Sequence, residues 1–140
     1  MDLKSSYVIA VADQLSFVSA FLGGVSATIL LSLIIFSSPK RSVSMVITCA
    51  AVSACSLFIA VIAAWRLSIG LHPDLPFVPD PKTLNVLWNS MIAGYSIGLI
   101  SLILCIGLSG WIRSKKQGLL TSIIAAIALL FFSMTSIYVK

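Results

Sequence analysis

Four long apolar segments, none with a charged residue, are separated by short polar or proline-rich connections along this 140-residue chain. About 20 consecutive apolar residues are enough for an α-helix to cross the hydrocarbon core of a bilayer. The pattern therefore predicts an all-α integral membrane protein, with residues 1–140 forming a single compact bundle of four transmembrane helices. The predicted spans are residues 15–36, 45–65, 84–111 and 119–139. Nothing in residues 5–13 breaks a helix, so the first helix can continue through them beyond the membrane.

Small residues recur at helical spacing on the first and third spans. In the first span, residues four apart form three neighbouring rows. The first two rows consist of small residues and the third of large apolar residues: Ser16, Ala20, Gly24, Thr28 and Ser32; Ser19, Gly23 and Ala27; Phe17, Phe21, Val25 and Ile29. Rows of small residues let helix backbones approach closely in a membrane, where little hydrophobic drive brings helices together. The predicted helix-packing residues are Ser16, Ala20, Gly23, Ala27, Ser90, Gly94 and Gly98. These small faces fit contacts within one protomer and contacts between copies, and the sequence leaves both open.

The connections differ in charge and in proline content. Two short basic connections, residues 37–44 and 112–118, fall on the same side of a four-span protein, and residues 66–83 fall on the other side with both termini. Five positive residues lie in the short connections and four on the opposite side. By the positive-inside rule the short connections are expected in the cytoplasm and both termini on the opposite side. The expected location is a plasma membrane or a bacterial inner membrane. The four prolines of residues 66–83 predict an extended crossover.

Composition excludes several classes of protein. With 59% hydrophobic residues, 9% charged residues and a mean hydropathy of +1.12, the chain does not fit a soluble domain, which has about a quarter charged residues. The net charge of +5 is therefore assigned to lipid headgroups and topology, and nucleic acid is not a predicted partner. The first residues lack the pattern of a secretory signal peptide, so we expect the N-terminus to be retained.

The sequence has little of the chemistry that an enzyme needs. Three cysteines lie inside the apolar segments, where they are expected to fill helix contacts rather than to form disulfides or a zinc site. One histidine offers no metal-ligand set, and no nucleophile–base pair or glycine-rich phosphate loop is evident. We expect no enzymatic activity and no cofactor or metal. The spans have no ionisable group at membrane depth, so a proton-coupled carrier or a voltage sensor is not supported.

Asp13 is the acidic residue next to the first span. At the mouth of a pore, repeated around an oligomer, its carboxylate would attract cations. Alternatively, it is a carboxylate near the start of a helix, in water beside the headgroups, where it interacts favourably with the helix dipole. Both interpretations remain open from the sequence.

The first span also resembles a known family. Residues 19–26, SAFLGGVS, resemble the start of the pore helix of Orai calcium channels, residues 53–56, SACS, are similar to a run in that family's second helix, and residues 111–117 are loosely alike. The resemblance implies a ring of subunits, hexameric in that family, with the first helices around a central pore. It implies pore-facing positions at Phe17, Phe21, Gly24, Val25, Thr28 and Ser32.

This chain departs from the Orai pattern at three points. Ser32 stands where that family has its selectivity glutamate, so calcium selectivity is not implied. Phe17 stands where the family has a basic residue in the lower pore. Both termini are cytoplasmic in that family, which is opposite to the orientation expected from charge.

The sequence thus predicts a subunit of a ring-like homo-oligomer that forms a pore or ion-channel-like transport complex, with the first helix near the central axis and unknown selectivity. The alternative is a non-conducting interaction module or accessory subunit that binds other transmembrane helices. Membrane lipid and copies of the chain are the expected partners, with another membrane protein in the alternative. The predicted pore-lining residues are Asp13, Phe17, Phe21, Gly24, Val25, Thr28 and Ser32.

Overall fold

Four α-helices make up almost all of the chain that this computed structural model describes, namely residues 3–36, 41–72 and 80–138. They are α1 (Leu3–Phe36), α2 (Arg41–Gly70), α3 (Pro81–Arg113) and α4 (Lys115–Tyr138). Each helix has a segment that is long and apolar enough to cross a membrane. The prediction of an all-α chain with four such helices is confirmed, and this architecture is consistent with an integral membrane protein.

The helices are longer than the apolar segments that predict them. α1 includes residues 5–13, because no glycine or proline interrupts them. α2 continues to Gly70 and α3 begins at Pro81, so the connection is shorter than the crossover predicted at residues 66–83. Proline is tolerated in the first turn of a helix, where its missing N–H has no partner to lose. Within that crossover, residues 73–79 lie outside the described residues.

Two of the helices have a side-chain cap at their N-terminus. The backbone N–H of Lys82 donates to the Asp80 carboxylate at 3.3 Å at the start of α3. The backbone N–H of Gln117 donates to Ser114 Oγ at 3.2 Å at the start of α4. Such caps satisfy N–H groups that have no partner within the helix. Ser114 alone separates α3 from α4, so the basic connection predicted at residues 112–118 is almost entirely helical.

The chain divides into two compact units. The first unit consists of Met1–Val25 and Ala54–Gly98, and the second unit consists of Ser26–Ser53 and Leu99–Lys140. The buried core of the first unit is Ala12, Ala63, Ala64, Leu67 and Met91. The buried core of the second unit is Val46, Ala50 and Cys105. The predominance of small side chains in both cores allows the helix backbones within each unit to lie close together.

Glycines on α3 make a close helix contact in the first unit. A Cβ atom on Gly94 would lie 2.9 Å from the Ser56 carbonyl oxygen and 3.2 Å from the Ala60 backbone nitrogen. A Cβ atom on Gly98 would lie 2.6 Å from Leu57 Cγ. Both distances to Gly94 involve backbone atoms of α2, which cannot turn aside as a side chain can. The backbones of α2 and α3 therefore meet here in a way that only glycine permits.

Polar side chains join α3 and α4 within the second unit. Thr121 Oγ1 donates to the Gly107 carbonyl oxygen at 2.9 Å. Trp111 Nε1 donates to Ser122 Oγ at 3.0 Å, and a Cβ atom on Gly118 would lie 2.6 Å from the Trp111 ring. Interhelical hydrogen bonds of this kind strengthen helix association in a membrane. They fix α4 against α3 immediately after the single-residue turn.

Candidate functional site

The buried side of α1 is defined by a repeat of seven residues. Ala12, Ser19 and Ser26 are almost completely buried, and Leu15, Leu22 and other residues between them are partly buried. Positions seven apart lie on one face of a helix that packs against neighbouring helices. This face makes the contacts of α1 within each unit.

The contacts of this buried face are partly polar. In the second unit, Ser26 Oγ and Ser53 Oγ lie 3.0 Å apart and form a buried hydrogen bond between α1 and α2. In the first unit, a Cβ atom on Gly23 would lie 3.5 Å from Leu57 Cβ, which is ordinary van der Waals contact. Ser19 Oγ is buried without a hydrogen-bond partner among the described residues. The buried face of α1 thus combines close packing with a hydroxyl pair.

The seven predicted pore-lining residues all lie on the other side of α1. Phe17 is 77% exposed, Phe21 66% and Val25 38%, and the remaining four residues of the set are also exposed: Asp13, Gly24, Thr28 and Ser32. At 100° per residue, this set is centred about 180° from the buried repeat. We call it the exposed α1 face. It is the side of α1 that the protomer leaves uncovered.

Asp13 lies at one end of the exposed α1 face. Its carboxylate accepts a hydrogen bond from Ser68 Oγ of α2 at 2.9 Å. At 1.5 Å per residue, the helix from Asp13 to Phe36 is about 35 Å long, and the hydrocarbon core of a bilayer is about 30 Å thick. The part of α1 that follows Asp13 is therefore long enough to cross a membrane.

The hydroxyl of Ser32 lies towards the other end of this face. Ser32 Oγ donates to the Thr28 carbonyl oxygen at 2.8 Å, within the same helix. A hydroxyl bonded in this way has its donor satisfied locally. Its oxygen remains an acceptor at the exposed surface.

The predicted helix-packing residues divide between the two sides of their helices. Gly94 and Gly98 are buried, and Ala20 is exposed. The others are half-buried: Ser16, Gly23, Ala27 and Ser90. Ala20 therefore belongs to the uncovered side of α1, away from the contacts within the protomer. The buried repeat of Ala12, Ser19 and Ser26 coincides with neither predicted small row, since only Ser19 belongs to one of them.

Ser68 is a functional candidate that the sequence interpretation missed. Residue 68 lies in the segment predicted as a crossover, and it is helical instead because α2 continues to Gly70. Its partner Asp13 is 55 residues away in sequence. No local pattern indicates such a pair.

α2 and α3 contain the three thiols and further polar contacts. Ser101 Oγ donates to the Cys49 carbonyl oxygen at 2.9 Å, and Cys105 Sγ donates to the Val46 carbonyl oxygen at 3.8 Å. Cys105 is buried, Cys49 half-buried and Cys55 exposed. Within residues 3–36, 41–72 and 80–138, no group of three or more His, Cys, Asp or Glu side chains is arranged to hold a metal ion.

No protein-family model matches this chain, and no curated protein or solved structure matches it. The resemblance of residues 19–26 to Orai channels stays a prediction.

Proposed function

We propose that this chain is the subunit of a homo-oligomeric membrane pore, in which the exposed α1 face surrounds the central axis. The supporting observation is the position of the predicted pore-lining residues. All of them are exposed, while the opposite side of α1 already makes the contacts within the protomer. A second copy of the chain is the proposed neighbour of this face.

The composition of the exposed α1 face differs from that of a surface covered by lipid alone. Eight of the exposed residues of α4 have large apolar side chains: Leu119, Leu120, Ile123, Ile124, Ile127, Leu130, Phe131 and Met134. The exposed α1 face instead mixes phenylalanine with glycine, threonine and serine. Small and hydroxylated residues are enriched where transmembrane helices meet or surround a polar path. This contrast favours α1 over α4 as the helix that meets other copies.

The proposed pore has an apolar constriction and a polar segment. Rings of Phe17, Phe21 and Val25 would exclude water when narrow, and such constrictions gate channels by dewetting. Thr28 and Ser32 would line the wider, hydroxylated part. Ser32 is uncharged, and the residues next to it in α1 are not acidic. Calcium selectivity is therefore not part of the proposal.

We further propose the orientation that the charge pattern favours. Lys115 and Lys116 are exposed at the start of α4 in the second unit. The positive-inside rule assigns such residues to the cytoplasm, so the chain ends and the 66–83 side of the helices would face outward. The membrane would be a plasma membrane or a bacterial inner membrane.

The proposed pore can be tested by measuring the conductance of a variant with a polar residue at the constriction. The protein would be reconstituted in planar bilayers, and Phe21→Ser compared with Phe58→Ser. Phe58 lies on α2 and is 65% exposed, close to the 66% of Phe21, so it is a matched control. We expect Phe21→Ser to increase ion current several-fold through hydration of the constriction, and Phe58→Ser to leave it unchanged. Equal effects of the two substitutions, or no current in any variant, would refute the proposal.

Cross-linking tests the arrangement of copies independently of current. Val25 and Val52 are 38% and 43% exposed, on α1 and α2. Each would be replaced by cysteine in a Cys55→Ala background, which removes the exposed native thiol. Oxidation in lipid should link copies through Val25→Cys and not through Val52→Cys. Linked copies that never conduct would favour the non-conducting interaction module instead.

A further inference from the structure

The Asp13 carboxylate and the hydroxyl that binds it are both held by the core of the first unit. Ser68 Oγ donates to Asp13 Oδ1 at 2.9 Å. Each partner directly follows a residue of that core in sequence: Ala12 precedes Asp13 and Leu67 precedes Ser68. Ala12 is 0% exposed and Leu67 1%. The backbone at both ends of the hydrogen bond is therefore fixed by close packing.

This hydrogen bond restricts a side chain that would otherwise rotate. Asp13 is exposed and Ser68 is half-buried, so the carboxylate lies at the surface while its donor is anchored in α2. A hydrogen bond to a charged acceptor is stronger than one between neutral groups. Arg66 lies two residues before Ser68 on the same helix, which places it about 200° away around α2. The donor that holds the carboxylate is therefore the neutral Ser68 hydroxyl.

The position of Asp13 relates this charge to the exposed α1 face. Asp13 and Phe17 are four residues apart and lie on the same side of α1. In the proposed pore, each copy would therefore place one carboxylate at the entrance, before the Phe17 ring. Acidic rings at pore entrances favour cations. A unit charge about 6 Å from a monovalent ion in water raises the local cation concentration about threefold.

We propose that Asp13 makes the pore prefer cations over anions, and that Ser68 is the positioning residue that holds its carboxylate in one orientation at the pore entrance. This inference rests on the proposed function. It adds an ion class, monovalent or divalent cations. It also adds a residue on α2, Ser68, that positions the carboxylate responsible for selectivity.

Reversal potentials in a potassium chloride gradient test this proposal. The wild-type protein is expected to be cation-selective. Asp13→Asn should reduce the ratio of potassium to chloride permeability at least about threefold, by removing the charge. Ser68→Ala should reduce the ratio less, and Ser68→Thr, which keeps the hydroxyl, should restore it. Ser133→Ala is the control, because Ser133 is exposed on α4 and its Oγ donates to the Leu130 carbonyl oxygen of the same helix.

The possible outcomes separate this inference from the pore itself. Currents whose permeability ratio is the same in wild type and Asp13→Asn would refute the cation preference and leave the pore intact. A Ser68→Ala variant with reduced current and an unchanged ratio would show a structural role for Ser68 and refute its positioning role. Absence of current in wild type would refute the proposed function, and the selectivity with it.

Discussion

Replacement of Gly94 by alanine tests the contact between α2 and α3 most directly. The new methyl group would lie 2.9 Å from the Ser56 carbonyl oxygen, 3.2 Å from the Ala60 nitrogen and 3.3 Å from Ala60 Cβ. The two shortest distances are to backbone atoms, which move only if the helices move. The substitution should therefore separate α2 from α3 in the first unit.

Two opposing free energies determine the result. Overpacking of a close contact typically costs about 1–3 kcal/mol. Replacement of glycine by alanine within a helix raises the free energy of unfolding by at most about 1 kcal/mol through helix propensity. The net expectation for Gly94→Ala is a loss of about 1–2 kcal/mol in the free energy of unfolding.

Two other glycines serve as graded controls. A Cβ atom on Gly98 would meet Cγ and Cδ2 of the buried Leu57 side chain at 2.6 and 2.9 Å, and the Leu57 backbone nitrogen at 3.2 Å. Its shortest distance to a backbone atom is longer than the 2.9 Å of Gly94, so Gly98→Ala should cost less than Gly94→Ala. A Cβ atom on Gly24 would meet no heavy atom within 4 Å. Gly24→Ala should therefore be neutral or stabilising by up to about 1 kcal/mol.

The assay is equilibrium unfolding in mixed micelles of dodecyl maltoside and increasing dodecyl sulfate, followed by circular dichroism. The expected order of stability is Gly24→Ala, then Gly98→Ala, then Gly94→Ala. If Gly94→Ala is as stable as Gly24→Ala, the close contact of α3 with α2 does not exist in the folded protein and the reasoning is wrong.

Three further substitutions address hydrogen bonds and a helix cap. Ser26→Ala removes the bond to Ser53 and should lower the free energy of unfolding by about 0.6–2 kcal/mol, with the exposed Ser133→Ala as a control that changes it little in the same micelle titration. Thr121→Val keeps the side-chain volume but removes the donor to the Gly107 carbonyl oxygen, so hydrogen exchange should rise in α4 before it rises in α2, and uniform exchange would contradict this. Ser114→Ala should cost about 1 kcal/mol through loss of the α4 cap, and Ser114→Asp should retain the stability. If alanine and aspartate behave alike at that position, the hydroxyl is not a cap.

The number of helices and the position of their apolar segments could be predicted from the sequence. Continuous apolar segments of this length favour helices in lipid, because a helix satisfies its backbone polar groups within the segment. Local signals explain the ends as well: Asp80 followed by proline starts α3, and Ser114 with Gln117 three residues later has the pattern of a capping box. The overlooked end of α2 at Gly70 also follows from local chemistry, since no helix breaker precedes it.

The buried side of α1 could not be read from hydrophobicity. Lipid is as apolar as a protein core, so a helix that is apolar all round carries no amphipathic signal. Both small rows of α1 satisfy the same spacing rule, yet Ser19 is buried and Ala20 is exposed. Only the shapes of the helices that pack against α1, which come from distant parts of the chain, distinguish them.

The sequence by itself thus determined what forms locally: four helices, their caps, and an acidic residue ahead of the first apolar segment. The tertiary structure decided which side of each helix is used. It placed Ser53 against Ser26 and Ser68 against Asp13, and it left the exposed α1 face uncovered. The physical reason is that close packing and hydrogen bonding between helices depend on residues tens of positions apart, whereas helix formation depends on neighbours within a few turns.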